Sequence, residues 1–125
     1  MTTHANTVSP PFAVIAADKV QGSAVYDTNG TKLGSIEYIM LDKIGGRVAY
    51  AVLSFGGFLG IGEKYHPLPW EALHYDLGKG GYVVRMTREQ LERAPTIDAN
   101  DSVDWENEAW GENVYRHYGV NRYWI

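Results

Sequence analysis

The stretch from Arg47 to Trp70, RVAYAVLSFGGFLGIGEKYHPLPW, constrains this chain more than any other. Residues 48–55 combine β-branched, aromatic and small apolar side chains in a run short enough for a strand covered on both faces. Gly56, Gly57, Gly60 and Gly62 then permit positive φ at close intervals, which predicts a sharp reversal around Phe58, Leu59 and Ile61. Residues 64–66 read as the returning strand. Pro67 and Pro69 have no amide donor, so pairing is expected to end there, and Trp70 is expected to enter a short turn with Glu71, Ala72 and Leu73.

The preceding chain reads as a mobile leader over residues 1–12 and short strands at 14–17, 24–26 and 33–42. Asn29-Gly30 and Gly45-Gly46 supply tight reversals, with Asp42 and Lys43 at the mouth of the second. In the third segment, strict alternation places Ile36, Tyr38 and Met40 on one side and Glu37, Ile39 and Leu41 on the other. Beyond Trp70, residues 74–77 and 82–86 read as two further strands around a glycine-rich turn. Many short strands without long helices between them predict a small all-β fold, an antiparallel barrel or half-barrel. Thr87 and Gln90 have capping-box spacing, which predicts a short helix that Pro95 ends.

Residues 96–125 form a distinct extension. The chain carries a net charge of −4, and all of it resides here, since Lys and Arg balance Asp and Glu over residues 1–95. Yet the extension holds Trp105, Trp110, Tyr115, Tyr118, Tyr123 and Trp124, six of the sixteen aromatic residues, unlike a disordered acidic tail. Trp110, Val114 and Tyr118 share one helical stripe, Glu112 and Arg116 form a favourably oriented pair, and Gly119 is expected to stop the helix. This predicts a partly helical aromatic segment packing on the domain of residues 13–95 or on a second copy.

Several functions are disfavoured. A neutral body with an acidic tail does not suit direct nucleic-acid binding, which gathers Lys and Arg on one face. Residues 1–12 carry no apolar run long enough for a signal peptide or membrane span. The chain has no cysteine, which excludes disulfides, thiolate catalysis and thiolate metal sites, and fits a cytoplasmic protein.

The run Leu33-Gly34-Ser35-Ile36, the strand from Arg47 to Phe55, the loop GGFLGIGEK and the LPWEAL run at residues 68–73 together resemble the PRC-barrel family over residues 15–95. That resemblance implies a small β-barrel of the kind found in the photosynthetic reaction-centre H subunit and in the ribosome-maturation factor RimM. It implies a role in assembly and no catalytic residues. With neither the membrane helix of the H subunit nor a preceding domain like that of RimM, the chain is expected to be a free-standing member.

The glycine-rich loop does not read as a phosphate cradle, because its order is G-x-x-G-x-G and Lys64 is not followed by Ser or Thr. His66 and His74, with Glu63, Glu71 or Asp76, match no strong zinc spacing, so no metal or cofactor is expected. Ser54 lies in no nucleophile elbow. The sequence therefore predicts a non-enzymatic protein-interaction module whose candidate contact residues are Phe58, Leu59, Ile61, Trp110, Tyr118, Tyr123 and Trp124. A protein partner is expected, with homodimerisation as one form of it. The alternative is a small-ligand or enzymatic role at an open barrel end lined by Tyr65, His66 and Trp70.

Overall fold

The computed structural model describes residues 12–55, 64–98 and 103–124. Their strands are β1 (Ala24–Tyr26), β2 (Lys32–Leu41), β3 (Val48–Ser54), β4 (Lys64–Leu68), β5 (Leu73–Asp76), β6 (Gly81–Val84) and β7 (Ile97–Asp98). All seven join one sheet in the order β5-β6-β1-β2-β3-β4-β7, with β5 and β7 as its edges. The sheet is mostly antiparallel and open. The expected fully antiparallel arrangement fails at one seam, where Val25 and Tyr26 of β1 pair in parallel with Tyr82 and Val83 of β6. A parallel pair needs a long crossover, and β2 to β5 supply it.

β3 is covered on both faces, as its composition requires: Tyr50, Ala51, Val52 and Leu53 are all buried. Register assigns the faces. Ile36 opposes Leu53, and Leu53 opposes His66, whereas Tyr38 opposes Val52, and Val52 opposes Pro67. One face therefore carries Ile36, Ala51, Leu53, His66 and Leu68, and the other carries Tyr38, Tyr50, Val52 and Tyr65. The pairing shifts between Ile36 and Tyr38, so Ile36 and Tyr38 do not share a face as strict alternation predicts. A bulge at Glu37 inserts one residue and exchanges the faces. Gly34 lies just before this point, and a Cβ there would collide with the Ser54 carbonyl oxygen of β3.

Two other expectations are corrected. Residues 14–17 form no strand. The chain instead makes one helical turn, α1 (Ala17–Val20), anchored by buried Val20, while Val14 and Ile15 stay exposed and gain nothing from a sheet edge. Pairing also continues past Pro67, which opposes Val52, to Leu68, which opposes Ala51. β7 pairs only with Lys64 and Tyr65, so the outer edge of β4 at Pro67 needs no amide donor.

After β4, Trp70–Ala72 form a single 3₁₀ turn leading to β5. α2 (Arg88–Glu92) begins at Thr87 with both reciprocal bonds of the capping box, Gln90 N to Thr87 Oγ1 at 3.1 Å and Thr87 N to Gln90 Oε1 at 2.9 Å. It inserts Leu91 into the core. α3 (Glu108–His117) starts at Asn107, whose Oδ1 accepts from Trp110 N at 2.9 Å, and ends before Gly119 at φ +70°. Fully burying side chains such as Ile36, Leu53, Leu68 and Leu91 contributes about 1.5–3 kcal/mol each.

Candidate functional site

The largest concentration of specific contacts lies where the C-terminal extension covers the Tyr50 face of the sheet. α3 turns Val114 and Tyr115 inward, both buried, and Tyr115 Oη donates to the Ala49 carbonyl of β3 at 2.7 Å. Tyr50 lies among three aromatic rings of the extension, with centroids at 5.3 Å from Trp105, 5.8 Å from Trp110 and 5.9 Å from Tyr115. Tyr38 meets Trp105 edge-on at 6.4 Å and Tyr65 at 6.2 Å, continuing the layer across three strands. Such pairs favour offset and edge-to-face geometries because ring edges are positive and ring faces negative.

Gly111 makes this approach possible. A Cβ at that position would lie 2.5 Å from Tyr50 Oη and 3.2 Å from Trp124 Cζ2. A glycine inside a helix ordinarily only weakens it; here it is where the helix backbone meets two rings.

The chain end is fastened to the β2–β3 turn. Tyr123 Oη donates to Asp42 Oδ2 at 2.6 Å, and the Arg47 guanidinium lies 4.1 Å from the Tyr123 ring centre. Asp42 also accepts the Ile44 and Gly45 amides through Oδ1. The Tyr123 hydroxyl, followed by these amides, holds the Asp42 carboxyl below the usual carboxylate range. Reciprocally, burial first and the Asp42 carboxylate second push the Tyr123 phenol up to about 12. Burial pushes Tyr50 up to about 12 and raises Tyr115 and Tyr118 further. These phenols stay protonated at neutral pH, and Tyr115 and Tyr123 use theirs as hydrogen-bond donors.

Of the contact residues read from the sequence, Trp110, Tyr118, Tyr123 and Trp124 pack against the chain's own body. Trp124 meets Tyr115 edge-on at 4.9 Å, and Tyr118 is buried. Phe58, Leu59 and Ile61 lie outside the described residues. Asp42, Arg47, Tyr38 and Tyr50 are the residues that sequence reasoning missed as parts of this site. Their signal was present only as aromatic residues on the neighbouring strands β2 and β3 and as charges around one turn.

The trio Tyr65, His66 and Trp70 does not line one opening. Tyr65 and His66 are successive strand residues and face opposite sides of β4, while Trp70 packs on Tyr82 at 5.3 Å. His66 is fully buried against Phe55, centroids 4.6 Å apart, and among the described residues no group meets either ring nitrogen with good hydrogen-bond geometry. Burial pushes its pKa down to about 4, opposed only by the nearby Leu91 main chain. His74 is exposed on β5, away from it in the sheet order. Among the described residues, no three His, Asp or Glu side chains are grouped to hold a metal, and no helix is long and apolar enough to cross a membrane.

An open, mostly antiparallel sheet with an aromatic layer on one face and a small apolar core on the other defines a compact β module. The PRC-barrel domain model matches residues 13–91, well over half of the chain, so the chain belongs to the PRC-barrel family. The match ends at Leu91 of α2, before the extension that supplies the aromatic layer. No curated protein matches the chain.

Proposed function

We propose that this protein is a non-enzymatic interaction module, a cytoplasmic PRC-barrel half-barrel that assembles with a protein partner. PRC-barrel domains are linked to assembly and interaction. The observation that carries the reading is the exposed apolar run ahead of α1, where Phe12 is 82% and Val14 75% accessible, with Ile15 beside them. Large apolar side chains held in water are the raw material of an interface, each contributing about 1.5–3 kcal/mol when a partner buries it fully. Phe58, Leu59 and Ile61 belong to the same proposal on their sequence alone. In this reading the extension stabilises the module from within instead of docking the partner.

The test begins with native lysate of the source cells, separated into membrane, ribosomal and soluble pools and probed for this protein. Co-sedimentation with membranes or ribosomes, lost on replacing Phe12 and Val14 by serine, supports docking to a protein of that assembly. If those replacements, the Phe58 and Leu59 replacements, and removal of the chain after Pro95 leave folding and every association unchanged, the reading fails.

A further inference from the structure

The edge strand β5 has a sequence that complements itself. Its residues Leu73, His74, Tyr75 and Asp76 pair on one side with β6, and among the described residues the other side has no strand neighbour. Leu73 opposes Val84, and Tyr75 opposes Tyr82, so Leu73 and Tyr75 stand on one face and His74 and Asp76 on the other. Tyr75 packs edge-on against Tyr82 at 5.1 Å but remains 48% accessible, and Leu77, just beyond the strand, is 51% accessible. The apolar layer of Val84, Leu73 and Tyr82 therefore runs out to the sheet edge and stops at a half-covered ring.

We infer that β5 is a homodimerisation edge, on which a second copy of this chain adds its own β5 antiparallel about a two-fold axis through Tyr75. This inference rests on the reading of the chain as an interaction module and names one of its partners. In that register Tyr75 opposes the partner's Tyr75, and His74 and Asp76 each oppose the other residue of the partner. Leu77 of each copy approaches the partner's Leu73. Every opposed pair is then apolar with apolar or imidazole with carboxylate, and no like charges meet, which is the favourable case for cross-strand neighbours. Opposed residues of an antiparallel pair share a face, so the axis can move only by whole residues; through Asp76 it sets two carboxylates against each other, and through His74 it takes Asp76 away from the imidazole. The isologous geometry closes after two copies, so it does not propagate into a filament. A four-residue edge is smaller than a standard interface, so the dimer is a weak one that depends on concentration.

The absence of cysteine makes the test clean. Directly opposed residues of an antiparallel pair have Cβ atoms about 4.5–5.5 Å apart, so the full chain carrying Tyr75→Cys should oxidise to a disulfide-linked dimer. It should do so faster than a chain carrying Ile44→Cys, an exposed control on the β2–β3 turn. A mixture of the His74→Cys and Asp76→Cys chains should cross-link faster than either alone, which reports the register. Sedimentation equilibrium across the concentration range should give a monomer–dimer equilibrium whose dissociation constant rises about tenfold with Tyr75→Lys, because like charges then meet on the axis. Should Tyr75→Lys not fold, Leu77→Lys carries the same measurement from outside the strand. A monomer at every concentration overturns the inference, as does a dimer indifferent to both lysine variants or a Tyr75→Cys chain that links no faster than the control. Any of these leaves the wider module reading standing, because that is judged by loss of the cellular association with Phe12 and Val14 replaced.

Discussion

Replacing Gly111 by alanine should destabilise this protein, although alanine is the better helix former by about 1 kcal/mol. The added Cβ would sit 2.5 Å from Tyr50 Oη and 3.2 and 3.4 Å from two Trp124 ring carbons. Tyr50 cannot swing aside freely, because Trp105, Trp110 and Tyr115 hold its ring and it is buried. Overpacking of this kind costs about 1–3 kcal/mol. With the helix gain subtracted, the net loss should be about 1 kcal/mol. Tyr50→Phe removes the obstructing oxygen, so in that background Gly111→Ala should become neutral or stabilising. Urea unfolding of the four chains gives the coupling between the two sites, expected at about 1–2 kcal/mol. If Gly111→Ala stabilises the unaltered chain as it would an exposed helix position, the close contact between α3 and β3 is not as described.

Acid should weaken the fold through His66. An unfolded imidazole titrates at its ordinary pKa near 6.5, while the folded one is held down to about 4, so between these values only the unfolded chain takes up the proton. Stability should fall by about 3 kcal/mol as pH drops from 6.5 to 4, and His66→Leu should remove that part of the loss; equal losses in both chains would sink the argument. Tyr115→Phe should cost about 1–2 kcal/mol by urea unfolding, because the Ala49 carbonyl loses its hydroxyl donor in a covered position. Removing the chain after Pro95 uncovers the faces of Tyr50 and Tyr38 and deletes buried Val114, Tyr115 and Tyr118, a loss of about 5 kcal/mol or more. Circular dichroism should then show a shortened or absent thermal transition, and an unshifted one would contradict a structural role for the extension.

Local chemistry alone determined a good deal of this protein. The Val48–Ser54 strand, the Gly45-Gly46 reversal, the capping box at Thr87 and the α3 stop at Gly119 follow from side chains acting on their own backbone within a few residues. The family was legible for a related reason, because its pattern of strand and turn residues is contiguous in sequence. Tertiary structure decided what depends on distant partners. The bulge at Glu37 exchanged the faces of β2 beyond Ile36, and Pro67 kept its place in β4 because β7 ends before reaching it. The parallel β1–β6 seam joins segments more than fifty residues apart. The four aromatic residues of the extension that looked like a docking surface became part of the protein's own packing, since nothing in their spacing says whose apolar face they cover. Periodicity fixes which side chains share a stripe, whereas the partner of that stripe is set by the competition among all faces the folded chain can offer.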